Sequence, residues 1–163
     1  MSYFDQAIPS LLEHEGPAVV PDDHGRGPSK YGVTLESYRE YFPEATAETI
    51  KALTPQLASA FFRRMFWERY RIALIEDQAL ATKLLDLAVN IGGATAIKLL
   101  QHAVGTKEDG VLGPETIKAV NHCGPCAALC ALRAVAGLHY YQIVKDRPEY
   151  AGCLQGWITR LNA

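Results

Sequence analysis

Apolar residues recur at helical spacing from the start of the chain, where Phe4, Ile8, Leu11 and Leu12 turn one face of an amphipathic helix toward a core. Gly16-Pro17 stops that helix, so Glu13, His14 and Glu15 fall at its C-terminal end. The pattern then changes. Val19 and Val20, the turn-rich Gly25-Arg26-Gly27-Pro28, and residues 29–34 predict two short strands around a loop, a hairpin folded back over the helix end. Leu35, Tyr38, Tyr41 and Phe42, interrupted by Pro43, and then residues 46–53 predict short helical pieces covering that hairpin. Thr54-Pro55 is an N-cap followed by proline at the first helical position, and it opens a helix to about Glu68 whose core stripe is Leu57, Phe61, Phe62, Met65 and Phe66.

The second half reads as helical throughout. Residues 77–91 carry Ala79, Leu80, Leu84, Leu87, Ala88 and Ile91, apolar nearly all round, which predicts a central helix ended by Gly92-Gly93. Asp86 and Asn90 lie one turn apart on it and are too polar to be buried without partners. Either they cap neighbouring backbone, or Asn90 lines a cleft opposite Glu15. Further helices are predicted over residues 94–104, over 114–120 behind Gly113-Pro114, over 125–144, and from Pro148 through Trp157 to Leu161. The expected fold class is mainly α (α+β) with a small β-hairpin near the N-terminus. Residues 1–93 form one lobe and 94–163 a helical second, packed as one compact unit.

Composition narrows the possibilities. At 163 residues, 48% hydrophobic and 21% charged, the chain has the balance of a soluble globular protein. A net charge of -2 gives no general attraction to nucleic acid. Arg63, Arg64, Arg69 and Arg71 read as a solvated basic face, and a helix-turn-helix DNA reader would need more than Lys118 on its second helix. No basic segment and apolar run open the chain, so no signal peptide is visible. No stretch approaches a membrane span of ~20 apolar residues, so stable membrane insertion is not expected. If the substrate lies outside the inner membrane, a separate release route is needed. A monomer is expected. Cys123, Cys126, Cys130 and Cys153 invite a metal reading, but Cys126 and Cys130 share one face of an apolar helix, where core packing is the expected role.

Candidate chemistry centres on Glu15. A carboxylate at a helix C-terminus faces the negative end of the dipole, and an apolar wall beside it would further favour the protonated form, the setting of a general acid. The hairpin would bring Asp23 and Ser29 within its reach. Glycoside hydrolysis needs such a set: one acid to protonate the leaving oxygen and a second group to position water or stabilise positive charge at the sugar. Trp67 offers an aromatic face for a sugar ring. No metal or organic cofactor is implied, since no H-E-x-x-H, P-loop or dinucleotide fingerprint is present.

The run H-E-G, then D-D, a Gly-rich turn and S-K-Y-G-V-T, resembles the start of glycoside hydrolase family 108, phage and bacterial muramidases once labelled secretion activators. F-F-R-R-M-F-W (residues 61–67) and L-D-L-A-V-N-I-G (residues 85–92) are similar to that family's later helices. Leu100-Gln101 with D-G-V-L-G-P-E-T (residues 109–116), and Gly156-Trp157 to Arg160, resemble its C-terminal predicted peptidoglycan-binding segment. Pro17-Ala18 departs from the family's G-Y, and Ser29 stands where threonine is usual. The resemblance implies a lysozyme-like architecture and hydrolysis of the β-1,4 bond between N-acetylmuramic acid and N-acetylglucosamine. It carries Glu15 over as the acid and Asp23 and Ser29 as the groups that hold water or stabilise charge; Tyr31, Thr34, Trp67 and Asn90 are the expected substrate contacts.

Overall fold

A computed structural model describes residues 1–23 and 25–163. Helix α1 (Phe4–Glu15) buries Phe4, Ala7, Ile8 and Leu11, the set one face of a helix dictates. Gly16 ends it at φ 68, a left-handed value suited to glycine, and returns its N–H to Leu12 O. Three strands follow rather than two: β1 (Val19–Val20), β2 (Ser29–Lys30) and β3 (Val33–Thr34), antiparallel in that order, with Ser29 opposite both Val20 and Thr34. The added strand comes from Tyr31 and Gly32. Both have positive φ, 53 and 74, as the tight two-residue turn between twisted strands requires.

Helices α2 (Leu35–Arg39) and α3 (Ala47–Lys51) are capped by Thr34 and Thr46. Helix α4 (Pro55–Phe62) starts at the Thr54 cap and runs on toward Glu68, but Arg63–Glu68 is π-helical. Helix α5 (Gln78–Ile91), capped by Asp77, is buried along most of its length and packs against α1, α6 (Gly93–Ala103) and α8 (Pro125–Asp146). Helix α7 (Pro114–His122) precedes α8. After α8 come a 3-10 segment, Pro148–Cys153, and the last helix, α9 (Leu154–Asn162). Buried side chains from Phe4 on α1 to Leu161 on α9 form one continuous cluster, so the two halves share a core.

Helix α8 corrects two expectations. Its buried face is Ala128, Leu132, Ala136 and Tyr140, at steps of one turn. Cys126 and Cys130 are offset from that line by two residues, about 200° around a helix, and both are exposed, so neither packs the core. The stretch Cys126–Asp146 is also, by length and composition, apolar enough to cross a membrane, with mean hydropathy 1.2 and only 22% of it buried. The cause lies on the outer face, where Cys126, Ala127, Cys130, Ala134, Leu138 and Tyr141 replace the charges usual there.

Candidate active site

The stop at Gly16 delivers Glu15 to the β2–β3 turn. Gly32 lies so close there that a Cβ on it would overlap the Glu15 carboxyl group. On its other side, Glu15 Oε1 accepts a hydrogen bond of 2.7 Å from Arg160 Nη2, contributed by α9. Arg160 Nε donates to Asp86 Oδ1 at 2.9 Å, and Nη2 lies 2.8 Å from the same oxygen. Asp86 also faces Lys83 Nζ at 3.6 Å and His14 Nδ1 at 3.5 Å, while Lys83 donates to the Arg160 carbonyl at 2.9 Å. Asp86 and Lys83 are buried, and each buried charge meets an opposite one, the condition for keeping ions out of water. Burial pulls down the pKa of both cations. For Lys83 it prevails; for Arg160 the attraction of Asp86, then of Glu15, outweighs it and holds the guanidinium above its ordinary value. The wall beside Glu15 is thus a guanidinium, not the apolar wall expected from the sequence.

Gly32 joins this cluster to a cleft. A cavity of about 330 Å³ is lined on the sheet side by Gly32 and Thr34, below by Phe62 and Phe66, and at the end of α5 by Asn90 and Gly92. Of the other predicted residues, Thr34 and Asn90 line it, whereas Asp23, Ser29 and Tyr31 are not among its lining residues. Asp23 Oδ1 holds Arg26 Nη2 at 3.0 Å and its N–H meets Gly27 O at 2.9 Å, which closes the turn; His24 in that turn lies outside the described residues. Ser29 is buried on the middle strand. Thr34 Oγ1 accepts from Ser37 N at 3.1 Å, so it caps α2 while bordering the cleft. Tyr31 sits at the turn with the Lys30 ammonium 5.5 Å from its ring centre. Asn90 is exposed at the cleft and donates to Tyr140 Oη at 2.7 Å, a side-chain partner, and shows no bond to backbone from its side chain among the described residues.

Trp67 is a correction. It is 5% exposed and meets Phe4 edge-on at 5.6 Å, so it belongs to the core and offers no open face for sugar stacking. The residue the sequence reading missed is Arg160 as the partner of Glu15. The available signal was Asp86, a lone acid on an apolar helix and hence in need of a cation, but spacing along the chain does not say which cation folds back to it.

Residues 8–92 match the family model described as glycosyl hydrolase 108, and residues 95–162 match the one described as predicted peptidoglycan domain. No curated protein matches the chain. Among solved structures, that of Brucella abortus SagA is similar, with 24% identity and a TM-score of 0.77 over 97% of this chain and 92% of that one, a likeness of fold. Glu15 and the cleft lie in the first match and Arg160 in the second, so their ion pair joins the two. With the hydrolase match spanning more than half its length and all of the cleft, the chain belongs to the glycosyl hydrolase 108 family and carries a peptidoglycan domain behind it.

Proposed function

We propose that this protein is an N-acetylmuramidase that cleaves the β-1,4 bond between N-acetylmuramic acid and N-acetylglucosamine in peptidoglycan, with Glu15 as general acid. The observation that carries this reading is the two-sided hold on Glu15, between Gly32 of the cleft wall and the Arg160 guanidinium. Oε1 is bound to Arg160, and Oε2, the atom nearest the Gly32 position, is the oxygen from which a proton would pass to the substrate. Transfer of that proton to the glycosidic oxygen leaves a carboxylate, and Arg160 is already aimed at it. The same guanidinium favours the carboxylate before reaction too, so its part is to fix Glu15 and ease departure of the proton, not to load it. Asp23 and Ser29, on the turn and the middle strand, would orient water or stabilise the oxocarbenium-like charge. No step calls for a cofactor. The place of action would be the cell wall, reached as a monomer by a holin-type release.

Mass spectrometry of fragments released from purified peptidoglycan tests this. New reducing N-acetylmuramic acid ends are expected; anhydro ends would make the protein a lytic transglycosylase, and no release would leave a wall-binding protein. Glu15→Gln keeps the shape but removes the transferable proton, so release should fall by more than about a hundredfold, the usual range for general acid catalysis, with unfolding temperature little changed. Glu13 is exposed and points elsewhere, so Glu13→Gln should keep most activity. Full activity in a folded Glu15→Gln protein would remove this mechanism.

A further inference from the structure

The cleft does not end at Asn90. Asn90 and Ile91 also line a second cavity of about 330 Å³ on the far side of the α5 terminus. Its other walls include His139 and Tyr140 of α8, Arg147 and Tyr150 just beyond it, and Trp157 of α9. Three of these form an aromatic bank: Trp157 stacks on Tyr140 at 5.2 Å and meets Tyr150 at 6.0 Å. Polar groups are aimed by the same packing. Asn90 donates to Tyr140 Oη, which fixes both side chains and keeps the phenol proton for an acceptor in the cavity. Burial lowers the pKa of His139, so its imidazole is neutral there near pH 7 and can donate or accept. Arg147 stands at the rim with its guanidinium 5.2 Å from the Tyr150 ring centre, and no carboxylate lies within ion-pair distance of it among the described residues.

An aromatic bank with an amide and a phenol would serve a neutral sugar. An unmatched guanidinium asks for an anion, and it binds carboxylates through paired N–H donors. In a peptidoglycan strand the sugars are uncharged, and the carboxylates belong to the stem peptide hung on the lactyl group of muramic acid. We propose that this second cavity is a subsite for the stem peptide of the strand whose sugars occupy the cleft, with Arg147 receiving a stem carboxylate and the bank of Tyr140, Tyr150 and Trp157 packing its apolar part. This rests on the peptidoglycan-cleaving reading. It further makes the C-terminal half a specificity element: the protein should discriminate peptide-substituted glycan from bare glycan.

The test is binding to the full-length protein of two soluble probes, N-acetylglucosaminyl-N-acetylmuramoyl-tetrapeptide and chitotetraose, by calorimetry and by tryptophan emission. The first probe is itself a product of muramidase action and is not turned over. Trp157 lines the cavity while Trp67 is in the core, so a change in emission reports this site. Arg147 is exposed, so Arg147→Gln should fold normally. It should weaken the tetrapeptide probe at least tenfold, leave chitotetraose unchanged, and abolish the emission change, with Arg147→Lys recovering part of the loss. Equal weakening of both probes would make the cavity a sugar site, and no weakening of either would mean that the stem peptide does not enter it; each overturns the proposal while leaving hydrolysis intact. If the parent binds neither probe and releases nothing from peptidoglycan, the underlying reading fails as well.

Discussion

At the scale of single residues, the site depends on what Gly32 lacks. Its φ of 74 is one that side chains other than glycine rarely adopt, and a Cβ there would run into the Glu15 carboxyl. Gly16 provides the comparison, since its φ of 68 also disfavours a side chain but a Cβ there would meet nothing within 4 Å. Both Gly→Ala variants should therefore lose about 1–3 kcal/mol from positive-φ backbone. Gly32→Ala alone should also displace Glu15 and cut the rate of peptidoglycan solubilisation more than tenfold. Equal activity in two variants of equal unfolding temperature would mean that the fit of Glu15 against the turn does not matter. The sequence showed Gly32 only as one letter of a turn. That a carboxylate from another element rests on it became visible only once α1 and the sheet were placed together.

Elements were legible where the chain signals its own boundaries. Thr54-Pro55, Asp77, Gly113-Pro114 and the Gly16 stop are local cap and breaker chemistry, and each fixes a helix end in the structure. The π-helical turn at Arg63–Glu68 and the third strand were not legible, because both depend on backbone geometry that neighbouring elements impose. Helix α8 shows the same limit: apolar residues on nearly all sides do not reveal which side is covered. With Cys126 and Cys130 exposed, replacing both by alanine should move stability by no more than about 0.5 kcal/mol each, as at other surface positions, in chemical denaturation with activity unchanged. On α5 the concern is buried charge. Burial lowers the Lys83 pKa below its usual 10.5, so the folded chain holds that proton less firmly than the unfolded chain. Its charge therefore costs stability at neutral pH, and the cost shrinks as pH climbs through the folded value toward 10.5. Lys83→Met should flatten the alkaline rise in unfolding temperature relative to the parent; an unchanged slope would show that another group sets it.

Across the whole molecule, one guanidinium ties the last helix to the first and to the central one. Arg160 reaches Asp86 through Nε and Nη2 and Glu15 through Nη2, so a single planar fork both balances a buried acid and holds the proposed catalytic one. Helices and hairpin could be read from local pattern, but a contact between residues 145 apart could not, and it is the contact on which the site depends. Two substitutions separate its duties. Arg160→Gln leaves Asp86 without its main cation and should cost about 3–5 kcal/mol, the usual effect of breaking a buried pair. Arg160→Lys keeps the charge, but an ammonium is a compact point donor without the fork's geometry. It should retain most of the stability by staying with Asp86, while Glu15 loses its fixed partner and peptidoglycan release falls more than tenfold. Calorimetry on the parent should show one transition, because the buried cluster runs unbroken from α1 to α9. Two transitions would mean that the halves fold separately, and full activity in Arg160→Lys would mean that Glu15 finds its position without the last helix.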